Sequence, residues 1–232
     1  MPERPLERHD LVWLAPAAVS AAQPSGPCCA ADPEASRLLA NWVGAGHPLI
    51  VARQNGTVGA GWVRLGLALP PMLGKRRLAF LVARHAIVRS TPPPALSASV
   101  LGALPAQWRP LLSAVLALPA LQAAAPRFYG SAAMQFTTGL NCLGVDSDLD
   151  LLLSPPDWLA ARAACRALDA LDDPRCPPRL DGEIRNAAGD AVAWRELAAD
   201  SRQVLVKSLD DVRLVARAAF ADGFLAPTGV AA

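Results

Sequence analysis

The sequence predicts an α+β protein built in two parts, and three patterns carry that prediction. Short apolar runs of strand length crowd the stretch before residue 90, with one helix-like segment among them. A triple proline, "STPPPA", then opens a segment whose leucines recur at helical spacing. Beyond it, "LDLLLSPP" reads as a strand stopped by prolines, followed by an amphipathic helix and a hairpin. The implied division is a small β-rich N-terminal α+β domain over residues 1–121, with a helical linker from about residue 90, and a second domain over 122–232.

Each element follows in chain order. "HDLVWLAP" (9–16) is a short strand and "QPSGPCCAADPEA" (23–35) a loop with a turn. A short helix is expected from about Pro33 to Val43, ending on Gly44. "PLIVARQ" (48–54), "GWVRLGLALP" (61–70) and "RRLAFLVAR" (76–84) are strands, the last two joined by a turn at "PPMLGK". In the linker, Leu101, Leu104, Trp108, Leu111, Leu112 and Leu116 form one stripe, broken at Pro105 and Pro110. After the leucine-rich strand, a helix runs from Asp157 to Asp173, with Asp157 as N-cap and Leu159, Ala163, Leu168 and Leu171 inward. "RLDGEIRN" and "AVAWRELA" flank "AAGD" as a hairpin, and "RQVLVKSLDDVRLV" supplies another strand ending at a final helix.

Composition narrows the class without naming a chemistry. The chain has 232 residues, 53% of them hydrophobic and 18% charged, which describes a folded protein with ample core. A net charge of +2 offers no basic field for nucleic acid. Cys28, Cys29, Cys142, Cys165 and Cys176 are odd in number and lack CxxC spacing, so neither a disulfide framework nor a zinc site is indicated. His9, His47 and His85 are scattered, and His9 and Asp10, being adjacent on a strand, face opposite sides. "LVWLAPAAVSAA" superficially resembles the apolar part of a secretion signal. Glu3, Glu7 and Asp10 precede it, however, Pro16 interrupts it, and it falls far short of the ~20 apolar residues of a membrane span. A cytoplasmic protein without a membrane partner is expected.

The chemistry concentrates in "GSAAMQFTTGLNCLGVDSDLDLLL" (130–153). Alternation puts Asp148 and Asp150 on one face of their strand and Leu149 and Leu151 on the other, with the two aspartate Cα atoms roughly 7 Å apart. Carboxylates so spaced converge on a hard cation, which offsets their repulsion and desolvation. Mg²⁺ suits the task, because it accepts carboxylate oxygens and leaves room for substrate phosphates. Upstream, Gly130 and Ser131 end a short apolar element and open a helix, offering N–H groups and a hydroxyl to a phosphate. Asp181 and Glu183 in "RLDGEI" also share a face, and either completes the acid cluster. Gly182 between them permits close approach of a neighbouring backbone.

A Gly-Ser turn, a DxD on a strand and an acid on a later strand resemble the nucleotidyltransferase superfamily, the fold of DNA polymerase beta, and imply a mixed-sheet catalytic domain. The gap from Gly130-Ser131 to Asp148 is longer than that superfamily's usual spacing. That gap, with "LDGEI", "AVAWREL" and "VLVKS" after it and "RHDLVWL", "PLIVARQ" and "VRLGLALPP" before it, resembles malonate decarboxylase holo-acyl-carrier-protein synthase, a phosphoribosyl-dephospho-CoA transferase family. Members often carry an aromatic where Met134 and Cys142 stand, and these departures look like core substitutions.

The resemblance implies transfer from 2′-(5″-triphosphoribosyl)-3′-dephospho-CoA to a serine of the apo acyl-carrier subunit of malonate decarboxylase, with release of pyrophosphate. Asp148 and Asp150 would hold Mg²⁺, and Asp181 or Glu183 would bind a second metal or accept the serine proton. Gly130 and Ser131 would grip the β- and γ-phosphates, and Lys207 and Arg195 would bear on the leaving pyrophosphate. In the first domain, Arg53 and Arg64 interrupt apolar strands, and "GKRR" (74–77) could meet an acidic carrier. The alternatives are a nucleotidyltransferase using an ordinary nucleoside triphosphate on a protein or small-molecule acceptor, and a non-catalytic carrier-binding module.

Overall fold

The computed structural model describes residues 4–26, 32–55, 58–173, 175, 177–199 and 201–224. Cys28, Cys29 and Cys176 therefore lie outside the described residues. Contacts group the chain into two compact units. One comprises the residues up to Pro93 with Ala133–Gly144 and Leu209–Asp211; the other comprises Pro94–Ala132, Val145–Ser208 and the residues from Val212.

Strand alternation builds the first unit. Its elements are β1 (Leu11–Leu14), β2 (Gln23–Pro24), helix α1 (Ala35–Gly44), β3 (Leu49–Val51), β4 (Trp62–Ala68), β5 (Arg77–Ala83) and β6 (Ile87–Thr91). They form one sheet in the order β2-β5-β4-β3-β1-β6, antiparallel at every pairing. Register sets Val63 opposite Val82, Leu65 opposite Phe80 and Leu67 opposite Leu78. All six are buried, and each such side chain contributes roughly 1.5–3 kcal/mol. The helix α1 buries Ala35, Leu39, Trp42 and Val43 in the same core, one stripe of a 3.6-residue period. It runs through Gly44, and Gly46 beyond it takes the left-handed conformation (φ 77°). The outermost strands, β2 and β6, are absent from the sequence reading because one is two residues long and the other lacks a regular alternation.

The second unit begins inside the segment assigned to a linker. Helices α2 (Arg109–Ala117) and α3 (Pro119–Gln122) bury Leu112, Val115 and Leu121, joined by Leu104 and Trp108 from the turns before them. A stripe that apolar becomes part of a core, and residues from Pro94 pack with the second unit. Pro110 lies in the first turn of α2 and does not break it, because a helix's first turn needs no N–H from that position.

The remaining elements are β7 (Arg127–Phe128), α4 (Gly130–Thr138), β8 (Leu149–Leu153), α5 (Trp158–Leu171), β9 (Leu180–Arg185), β10 (Ala191–Ala193), α6 (Trp194–Ala198), β11 (Gln203–Lys207), β12 (Val212–Ala216) and α7 (Arg217–Asp222). The sheet order is β12-β11-β10-β9-β8-β7; β8 and β9 are parallel and the other pairs antiparallel, so the sheet is mixed. As expected, Asp157 caps α5, accepting the N–H of Ala160 at 2.7 Å. The buried side of α5 is Ala161, Ala164, Cys165 and Leu168, a regular i, i+3, i+4, i+7 stripe, while Leu159 is exposed. Two further segments differ from the sequence reading: "WRELA" is a helix, and "RQVLVKSLDDVRLV" forms two strands of a hairpin. Met134 of α4, with Cys142 beyond it, is buried in the first unit's core. That is the packing role expected of both positions. Among the described residues no helix is long and apolar enough to cross a membrane.

Candidate active site

Backbone pairing assembles the acids. Strand β7 runs antiparallel to β8, and Tyr129 N–H extends their ladder to the carbonyl of Asp150 at 3.0 Å. The next residue, Gly130, turns with φ 65° and starts α4, so its Cα lies against the Asp150 side chain. A Cβ at 130 would overlap Asp150 Oδ2 and stand 3.3 Å from Cγ. The Gly-Ser turn and the second aspartate, twenty positions apart in the chain, are thus immediate neighbours, with half-buried Ser131 next in α4.

The parallel pair β8–β9 supplies the third acid. Its register sets Asp150 opposite Asp181, Leu151 opposite Gly182 and Leu152 opposite Glu183. Register partners in adjacent strands point the same way, about 4.8 Å apart. Asp181 therefore stands beside Asp150, and its Oδ1 accepts the N–H of Gly182 at 2.8 Å. Gly182 is required there: with φ 142°, a Cβ on it would overlap the Leu151 carbonyl oxygen and come within 2.8 Å of Leu151 N. Asp148, one residue before β8, is held alongside because Leu149 N–H donates to the Arg179 carbonyl at 3.0 Å.

Glu183 occupies different surroundings from Asp181. It is 4% exposed, flanked in register by Leu152 and Ala193, and its Oε1 pairs with Lys207 Nζ at 3.2 Å. Lys207 is thus engaged with an acid of this same sheet face. Arg195 bonds the carboxylate of Asp172 and donates to the Leu180 carbonyl at 2.7 Å, with its guanidinium 4.4 Å from the Trp194 ring centroid. The hydrogen bond to Asp172 raises the Arg195 pKa, with further contributions from the charges of Asp181 and Asp148. Reciprocally, the Arg195 guanidinium holds the Asp172 carboxyl below the usual carboxylate value. Arg195 clamps the end of α5 to the start of β9 and lies within electrostatic reach of the site acids.

Two cations of this face are absent from the sequence reading. Arg179 Nη2 lies 3.2 Å from Asp148 Oδ2 and 3.9 Å from Asp181 Oδ2. Arg185 donates to the Ser154 hydroxyl at 3.1 Å. A signal was available for both: Arg179, Asp181, Glu183 and Arg185 fall at every second position, and alternation sends them to one face.

Among the described residues no three His, Cys, Asp or Glu side chains form a metal site by themselves. Mg²⁺ takes one or two carboxylates plus substrate phosphates in preference to an all-protein cage. The donors are hard carboxylate oxygens, and Asp148 and Asp181 already draw one cation, Arg179, between them. The two described thiols offer nothing comparable: burial raises the pKa of Cys142 and pushes that of Cys165 up to about 12, so both stay protonated.

In the first unit, Arg53 donates to Asn55 at 2.7 Å, and Arg64 Nε is buried with no hydrogen-bond partner among the described residues. In the basic turn, Arg76 pairs with Asp32 at 2.9 Å and Glu34 at 3.2 Å, leaving Lys75 and Arg77 as its exposed charges. Asp10 is fully buried, with its pKa raised by burial and opposed by hydrogen bonds from the Glu7 N–H at 2.8 Å and Arg4 at 2.7 Å.

Comparison with known proteins matches both parts of the chain. Residues 7–93 match the family model "Phosphoribosyl-dephospho-CoA transferase MdcG N-terminal domain", and residues 95–218 match the corresponding C-terminal domain. A phosphoribosyl-dephospho-CoA transferase of Xanthomonas campestris pv. campestris (strain 8004) is 40% identical over 212 residues, covering 91% of this chain and 95% of that protein. One from Bradyrhizobium diazoefficiens is 37% identical over 224 residues, 95% of each chain, and one from Pseudomonas putida (strain GB-1) is 36% identical over 209 residues, 89% of this chain and 92% of the other. No solved structure matches the chain. With both domain models matched in order and the identity sustained over nearly the whole length, the chain belongs to the phosphoribosyl-dephospho-CoA transferase family.

Proposed function

We propose that the protein transfers the phosphoribosyl-dephospho-CoA group of 2′-(5″-triphosphoribosyl)-3′-dephospho-CoA to a serine of the apo acyl-carrier subunit of malonate decarboxylase, in the cytoplasm. The family match supports the transferred group. The observation that carries the chemistry is the register pair Asp150–Asp181, with Asp148 beside it and the Gly130-Ser131 turn against Asp150. The serine oxygen bonds to the donor's α-phosphorus, the α–β phosphoanhydride bond breaks, and pyrophosphate leaves with the electron pair.

Asp148 and Asp150 would hold Mg²⁺, which when bound neutralises the triphosphate and lowers the pKa of the attacking hydroxyl. Asp181 takes the third position and accepts the serine proton, since it is half-exposed beside Asp150 while Glu183 is buried against Lys207. The Gly130-Ser131 turn presents N–H groups to the phosphates. Lys207 and Arg195 supply positive potential beside the acids, Lys207 paired with Glu183 and Arg195 within electrostatic reach of Asp181 and Asp148.

The test incubates the protein with apo carrier, the triphosphoribosyl donor and Mg²⁺, then weighs the carrier by mass spectrometry. The expected result is one added phosphoribosyl-dephospho-CoA group on a serine. Modification by ATP with none from the triphosphoribosyl donor would replace this reading with an ordinary nucleotidyltransferase. A carrier unmodified by either donor would replace it with a binding module.

A further inference from the structure

Arg179 sits where the acid cluster would receive a metal. Its Nη2 approaches Asp148 Oδ2 at 3.2 Å and Asp181 Oδ2 at 3.9 Å, so one guanidinium is shared by carboxylates from two adjoining strands. Asp181's other oxygen accepts the Gly182 N–H at 2.8 Å, so Oδ2 is the oxygen turned to Arg179. The Arg179 side chain is 58% exposed, so it is held by this pairing more than by packing and is free to swing. A divalent cation held by Asp148 and Asp150 repels the guanidinium and takes its place at Asp148. The released fork then matches the oxygens of a polyphosphate, for which a guanidinium is better shaped than an ammonium.

We propose that Arg179 is the internal counter-ion of the acid cluster and passes from Asp148 and Asp181 to the donor's triphosphate when a divalent cation binds. This rests on the carboxylate–metal reading of the site. It assigns Arg179 two opposed effects: it competes with the metal and it assists the phosphates. A residue of merely structural importance would weaken both when replaced.

The experiment measures Mn²⁺ binding to the full chain by the EPR signal of free Mn²⁺, and inorganic tripolyphosphate binding by calorimetry with Mg²⁺ present. Arg179→Gln is expected to bind Mn²⁺ roughly two- to fivefold more tightly, the scale of an exposed ion pair. The same variant is expected to bind tripolyphosphate about tenfold more weakly, through loss of a charge-assisted contact. Arg179→Lys should return Mn²⁺ affinity to the wild-type value and recover tripolyphosphate binding only in part. Asp148→Asn serves as the control for the metal site. If that control loses Mn²⁺ while Arg179→Gln binds it no more tightly, or if tripolyphosphate affinity is unchanged, the counter-ion role is overturned and the metal site stands. If the wild-type protein binds no Mn²⁺, or Asp148→Asn binds it equally well, the carboxylate–metal reading fails and this inference fails with it.

Discussion

Gly130 and Asp150 touch: the carboxylate of one fills the space where a side chain on the other would begin. This contact ties the Gly130-Ser131 turn to the acid cluster more tightly than either motif alone suggests. Gly130→Ala would force the Asp150 carboxylate aside and place alanine at φ 65°, a conformation that disfavours a Cβ. A displacement near 1 Å in a catalytic group can cost on the order of 100-fold in rate. The expected outcome is a loss of that size in kcat, with the far-UV circular dichroism unchanged.

The aspartates themselves answer to isosteric replacement. Asp148→Asn and Asp150→Asn keep shape and remove charge, so each is expected to lower transfer by at least about 100-fold while the thermal transition persists. Wild-type turnover in either variant would remove the paired-carboxylate mechanism.

Gly182 makes the contrasting prediction, because its constraint is backbone and not side chain. A Cβ there meets the Leu151 carbonyl across the β8–β9 ladder, which cannot move without unpairing the strands. Gly182→Ala is expected to cost about 3 kcal/mol or more in stability, read as a fall of several degrees in Tm. Unaltered Tm would mean that the parallel pairing tolerates the side chain.

Arg195 and Asp172 predict a pH signature. The Asp172 pKa lies below its unfolded value near 3.9, so the pair's contribution is fully present above that value and is lost as pH falls through the lower, folded one. Asp172→Asn should therefore lower Tm by about 2 °C at pH 7, and the difference from wild type should shrink as pH drops below about 4. A Tm difference that does not change between pH 7 and pH 3 would contradict this assignment.

Much of the site was legible along the chain, and the reason is that alternation is a local rule. It sends Asp148 and Asp150 to one face and Asp181 and Glu183 to one face without reference to any partner strand. The same rule covers Arg179 and Arg185. The capping of α5 by Asp157 is also local, being a matter of one turn. Less legible were the outer strands β2 and β6 and the inward face of α5. Short edge strands carry little pattern, and an alanine-rich helix spreads its apolar residues on more than one side.

By itself, then, the sequence determined the two-part α+β organisation, the same-face acids and the resemblance that led to the family. Only the tertiary structure decided which acids meet. The parallel register of β8 and β9 sets Asp181 beside Asp150 and carries Glu183 two pairs further, opposite Leu152 and onto Lys207. The turn after β7 presses Gly130 against Asp150, and the chain before β9 brings Arg179 to Asp148. Register and inter-strand approach depend on residues far apart in the chain, so no local period encodes them.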